Sequence, residues 1–151
     1  MPISALLFAL SCASTPIDSR PESVASELAD VVGVSVSESG DSSTFSVTLL
    51  SPDTGCSQYA NWWEVLTLDG ALVSRRVLGH SHVDEQPFTR SGSLMVDPGQ
   101  ELWVRAHMNP GGYGGQAMRG SVAGGFVAAE LEASFAAELA SEQPLPDGCA
   151  F

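Results

Sequence analysis

Residues 62–78, WWEVLTLDGALVSRRVL, read as two strands folded back on a two-residue turn. Asp69-Gly70 is the hinge of that reading, because the tight hairpin turns need positive φ, which glycine adopts without a steric penalty. Trp62 to Leu68 forms the outgoing strand and Ala71 to Leu78 the return. Trp62 and Trp63 are adjacent, so they point to opposite faces of the strand: one fills a core and the other faces out.

Working outward, the same two-residue period recurs on both sides. Upstream, Val32, Val34 and Val36 alternate with Gly33, Ser35 and Ser37, and Phe45, Val47 and Leu49 alternate with Ser46 and Thr48. Gly40-Asp41 turns the chain between them, and Ser51-Pro52-Asp53-Thr54-Gly55 stops the second strand. Downstream, residues 79–92 read as an irregular polar stretch, and Leu94 with Val96 as a short strand ended by Asp97-Pro98-Gly99. Leu102, Val104 and Ala106 then face a core, with Trp103, Arg105 and His107 on the other face. A Gly-rich loop, residues 109–115 (NPGGYGG), precedes a last strand at Ala117 to Val122. Six or seven short strands separated by turn signals predict an all-β, antiparallel, immunoglobulin-like β-sandwich over residues 31–126. Beyond it, Val127, Leu131, Phe135 and Leu139 recur every four residues among Ala and Glu, which predicts a C-terminal helix within the 127–151 helix and tail, ended by Pro144 and Pro146.

The N-terminus reads as a targeting signal. Residues 3–10 (ISALLFAL) are apolar but too few to span a bilayer, and fit the hydrophobic part of a signal peptide. Ala9-Leu10-Ser11-Cys12 resembles the lipobox of bacterial lipoproteins, in which the matching cysteine is lipidated, so residues 1–12 are read as the signal and Cys12 as its lipidation site. No Lys or Arg precedes the run, and a plain secretory signal is the alternative. Residues 13–30 are a polar linker carrying two prolines in its first half. With Cys12 used for lipid, Cys56 and Cys149 remain to form one disulfide in an oxidising compartment, the alternative being two free thiols. The expected location is periplasmic or on the membrane of a bacterium, held only through an N-terminal lipid.

Charge excludes other partners. The net charge is −12 and Lys is absent, so nothing in the chain forms the basic stripe that nucleic acid or an anionic membrane surface requires. The imbalance is uneven: residues 56–126 hold five of the six Arg and six acids, while the flanks are acidic.

Chemistry concentrates in two places. His80 and His82 lie in an His-x-His pattern, which puts both imidazoles on one side of an extended segment. His107, the third His of the chain, shares a strand face with Arg105. Convergence of the three would provide a Zn or Cu site, with Asp84 or Glu85 in support. The alternatives are a polar network that only braces a loop, and a metal-free ligand site drawing on His80, His82, Glu85, Arg90, Arg105, His107 and Tyr113. The outward tryptophan is a candidate platform for a sugar ring or apolar peptide, unless the Gly-rich loop or the C-terminal segment covers it. Gly79-His80-Ser81-His82-Val83 approaches the Gly-x-Ser-x-Gly elbow but ends in Val. The Gly-rich run lacks the Lys-Ser/Thr of a phosphate loop, so positive φ in a hairpin explains it better.

CSQYANWWEV, GHSHVDEQPFTRSG and VRAHMNPGGYGG resemble a family of small uncharacterised exported bacterial proteins and lipoproteins. The resemblance covers about half of the chain. It implies an exported β domain and supplies no activity, so no functional residue is carried over. The expectation is an exported, lipid-anchored module that binds a small ligand or an envelope protein, with a metal-dependent protein at the three His as the alternative.

Overall fold

The computed structural model describes residues 26–150, so the signal segment, Cys12 and most of the linker lie outside the described residues. Eight strands alternate along the chain: β1 Asp30–Ser39, β2 Ser42–Leu50, β3 Tyr59–Thr67, β4 Leu72–Val77, β5 Phe88–Leu94, β6 Leu102–Asn109, β7 Ala117–Ser121 and β8 Gly125–Ala129. They form two antiparallel sheets, one in the order β1-β2-β5 and the other β4-β3-β6-β7-β8. Val31, Phe45, Val47, Leu49 and Phe88 from the first sheet meet Trp63, Val65, Leu102, Val104 and Met108 from the second in one buried core. The alternation expected in β2 and β6 holds: Phe45, Val47 and Leu49 are buried, and Leu102 and Val104 face inward while Trp103 and His107 do not.

Strand β5 occupies residues that the sequence pattern left irregular. Its inward positions include Gly92 rather than an apolar residue, because the ring of Trp63 already fills that space; a Cβ on Gly92 would lie 3.1 Å from the indole. On the outer face, three hydroxyl pairs bridge β2 and β5: Thr44–Ser93, Ser46–Ser91 and Thr48–Thr89, at 2.8–2.9 Å. Such cross-strand pairs fix register where hydrophobic alternation cannot.

The C-terminal helix is not observed; among the described residues there is no α-helix, only the 3-10 turn Ala137–Ser141. The first residues of the expected helix instead form β8, with Val127 paired to Arg119 of β7. The rest runs across the outer face of the five-stranded sheet as a strap. Its backbone carbonyls are already engaged: Phe135 and Ala136 accept from Arg105, and Leu139, Glu142 and Pro144 accept from Arg75. An α-helix would need the carbonyls inside it for its own i to i+4 bonds. Ala136 also has φ 44°, a left-handed conformation that interrupts any helix through it.

Both arginines are held by one carboxylate. Glu64 on β3 stands directly opposite Arg75 of β4 and Arg105 of β6. It accepts from Arg75 Nε at 2.8 Å and from Arg105 Nε at 2.8 Å, and its side chain is fully buried. The strap ends at Cys149, bridged to Cys56 with the Cα atoms 5.6 Å apart, as the cysteine count predicts.

Two stability effects follow. Glu64→Gln leaves two buried guanidinium groups without a counter-charge and should destabilise by about 3–5 kcal/mol, read from urea unfolding. A loss below about 1 kcal/mol would show that the carboxylate does not organise the strap. Cys149→Ser opens a loop of 93 residues and should remove about 2–4 kcal/mol, measured the same way under non-reducing conditions.

Candidate functional site

The residues singled out in the sequence separate into two groups. In the first, His82 is buried and stacks on Phe88 with ring centroids 3.8 Å apart. Its backbone N–H donates to Asp53, whose carboxylate also accepts from the Ser51 hydroxyl and the Ala60 N–H. Burial, and after it the Arg90 charge, push the His82 pKa below its ordinary value. Glu85 and Arg90 form an ion pair at 2.9 Å on the surface nearby, with the guanidinium over the Phe88 ring. His80 is exposed, and the backbone beside it pairs with Ala150 of the tail. These contacts brace loops: Asp53 ties residues 51–60 to residue 82, and Ala150 ties the tail to residues 79–81.

The second group lies on the outer face of the five-stranded sheet. Alternation along β3 and β6 puts Trp62, Glu64, Arg105 and His107 there, and the Gly-rich loop adds Tyr113. His107 stacks on Trp62 at 3.9 Å and meets the edge of Tyr113 at 4.7 Å. Arg105 lies 3.6 Å over the Tyr113 ring, and Arg75 lies 4.4 Å over Trp62. Trp62 is therefore packed against both an imidazole and a guanidinium, is 2% exposed, and offers no platform for a sugar ring. Gly112 at φ 83° and Gly114 at φ 124° let the loop turn tightly enough to bring Tyr113 in, in keeping with the hairpin reading of that run.

The electrostatics of this group keep its ring groups neutral. Burial, then the charges of Arg75 and Arg105, lower the His107 pKa to about 4. Burial, then the Glu64 carboxylate, raise Tyr113 to about 12. His107 Nδ1 is 2.7 Å from Asn61 Oδ1. A carbonyl oxygen only accepts, so Nδ1 carries the proton and Nε2 keeps its lone pair. The Tyr113 hydroxyl and Trp62 Nε1 are buried without a hydrogen-bond partner.

The three-histidine metal site does not form. His107 belongs to the Trp62 stack and His82 to the Phe88 stack, and among the described residues no group of three or more His, Cys, Asp or Glu is placed to hold a metal ion. Residues 105–108 and the Gly-rich loop do come together. Sequence reasoning missed Glu64 and Asn61. The signal for Glu64 was present: a hairpin turning at Asp69-Gly70 sets Glu64 opposite Arg75. Asn61 carried no signal, because the register shift beside it that turns it toward His107 is not written in the alternation.

Comparison with known proteins adds one relative. Over 92 residues, 60% of this chain, the sequence is 46% identical to a protein of Halomicrobium mukohataei described as "Putative lipoprotein". The matched stretch is 45% of that protein, so the chain spans about half the length of its relative. No family model matches the chain, and no solved structure matches it.

Neutrality of His107 has a pH consequence. The unfolded chain takes up the proton near pH 6.5 and the folded chain only near pH 4. Stability is thus fully present above pH 6.5 and falls through the window from 6.5 to 4, by on the order of 2 kcal/mol after allowance for solvent. His107→Phe keeps the stack but removes the titration. The stability gap between wild type and variant should narrow by that amount from pH 7 to pH 4. A gap that stays constant over this range would rule out a buried neutral imidazole.

Proposed function

We propose that the chain is the exported, lipid-anchored β-sandwich of an envelope-accessory protein, and that it binds a ligand rather than catalysing a reaction. The observation that carries the export reading is the Cys56–Cys149 bridge, since such bonds persist in oxidising compartments. The apolar run ending at Cys12 supplies the signal and the anchor, and the description of the Halomicrobium mukohataei relative agrees with it. Among the described residues no helix is long and apolar enough to cross a membrane.

The immunoglobulin-like reading has its support in strand order. The first, second and fifth strands share one sheet, and the third, sixth and seventh share the other. That is the partition of immunoglobulin-type sandwiches, here with the fourth strand added beside the third. Such sandwiches are scaffolds whose ends and faces carry binding sites, and the outer-face group around His107 is the site offered here. Its neutral imidazole and neutral phenol carry no nucleophile beside them, which supports binding over catalysis.

The anchor is tested by growing expressing cells with an alkyne-tagged fatty acid. The wild type should take up label and partition with membranes, and Cys12→Ser should do neither. Equal, unlabelled recovery of both from the soluble exported fraction would replace the lipid anchor with a plain secretory signal.

A further inference from the structure

A groove of about 490 Å³ opens on the outer face where the end of β3 and the end of β6 meet the disulfide-tied tail. Its size is within the range of small-molecule sites. Tyr59, Asn61, His107 and Asn109 line its floor, and Leu145 and Pro146 of the strap form an apolar wall. Tyr59 is 5% exposed and Asn61 7%, and among the described residues the Tyr59 hydroxyl, Asn61 Nδ2 and His107 Nε2 take no protein hydrogen-bond partner while still reaching solvent. Side chains whose bodies are covered and whose polar tips stay open along one groove are held in place for a ligand to meet.

Charge narrows what that is. The two arginines behind the groove are committed to Glu64 and to strap carbonyls, and neither lines it. An anion therefore finds no free guanidinium and meets the Asp147 carboxylate at the rim. A cation meets the field of the same two arginines, which adds to burial in lowering the His107 pKa to about 4. The free atoms are a lone pair on His107 Nε2, donors on Asn61 Nδ2 and a hydroxyl on Tyr59 that serves either way. Alternating donors and acceptors beside an apolar wall suit a ring that carries hydroxyls around its rim and C–H groups on its face.

We propose that this groove binds an uncharged sugar ring edge-on, through the rim of His107, Asn61 and Tyr59, and not by stacking on Trp62. The proposal rests on the reading of the chain as a binding module and is independent of the lipid anchor. A chain that is lipidated at Cys12 but ignores sugars loses this proposal and keeps that localisation.

The probe is N-acetylglucosamine, which presents both hydroxyls and a carboxamide, titrated into the 15N-labelled protein up to tens of millimolar. Saturable shifts are expected at the Asn61 and Asn109 side-chain amides and around His107. Its β-1,4-linked trimer separates the two sources of such a ring: tighter binding by the trimer indicates a glycan, and equal binding indicates a single ring. Tyr59→Phe removes one hydroxyl and leaves the packing, and His107→Phe keeps the Trp62 stack but removes both nitrogens. Each should weaken binding about threefold to tenfold, the effect of one neutral hydrogen bond, with unchanged unfolding at pH 7 for Tyr59→Phe. Absence of saturable shifts, shifts confined to another face, unchanged affinity in both variants, or a blocked dipeptide amide binding where the sugars do not, would each overturn the proposal.

Discussion

A carboxylate with no solvent exposure lies between two guanidinium groups on the outer face of a sheet, and the geometry of the C-terminal quarter depends on that placement. Burying Glu64 alone would cost several kcal/mol in lost hydration, and the bonds from Arg75 and Arg105 offset it. Two cations around one anion leave spare donors: Arg75 still has N–H groups for Leu139, Glu142 and Pro144, and Arg105 for Phe135 and Ala136. Those carbonyls belong to the chain that must cover the triad if water is to be kept away from it. Ion cluster and strap are therefore joined as a single structure, the carbonyls of one taking the spare donors of the other.

That dependence explains why residues good at forming helix do not form one. Ala, Glu and Leu between 128 and 142 have high intrinsic helix propensity, worth tenths of a kcal/mol per residue. Charge-assisted hydrogen bonds from a buried guanidinium contribute more each. The strap also buries β3 on both faces, so that every residue from Tyr59 to Leu66 is buried, and it supplies the wall of the groove beside His107. A helix packed at the same place would present side chains, not carbonyls, to the arginines.

Legibility in the sequence follows the same physics. Where side-chain alternation and turn chemistry decide the structure, as in β2, the hairpin at Asp69-Gly70 and β6, the pattern is enough. The turn even sets Glu64 against Arg75, a pairing open to anyone counting back from it. Strand β5 was hidden because Trp63 takes the volume of an inward side chain, leaving Gly92 where an apolar residue would have signalled a strand. The C-terminal segment reads as helix in the sequence because the residues that impose its actual conformation lie more than sixty positions upstream in one case and thirty in the other. The histidines were misjoined for a related reason: the pattern gives the face of His107, but only tertiary packing says that Phe88 takes His82 into a different stack.

Arginine use completes the electrostatic picture. Arg75 and Arg105 serve Glu64, Arg90 pairs with Glu85, Arg119 pairs with Glu101, and Arg76 donates to backbone carbonyls. Every arginine of the domain is thus occupied within the fold, while the acids of the flanks have no lysine to meet them. The protein carries a net negative field outward, with Arg75 and Arg105 buried against Glu64 and the other arginines of the domain paired or bonded at its surface. That field opposes long-range attraction to an anionic polymer or headgroup, and the proposed recognition is by short-range contacts at a place where polar atoms are left open. The edge of His107 beside Asn61 and Tyr59 is the place proposed, and burial, with the two arginines after it, holds the imidazole there in its neutral, accepting form.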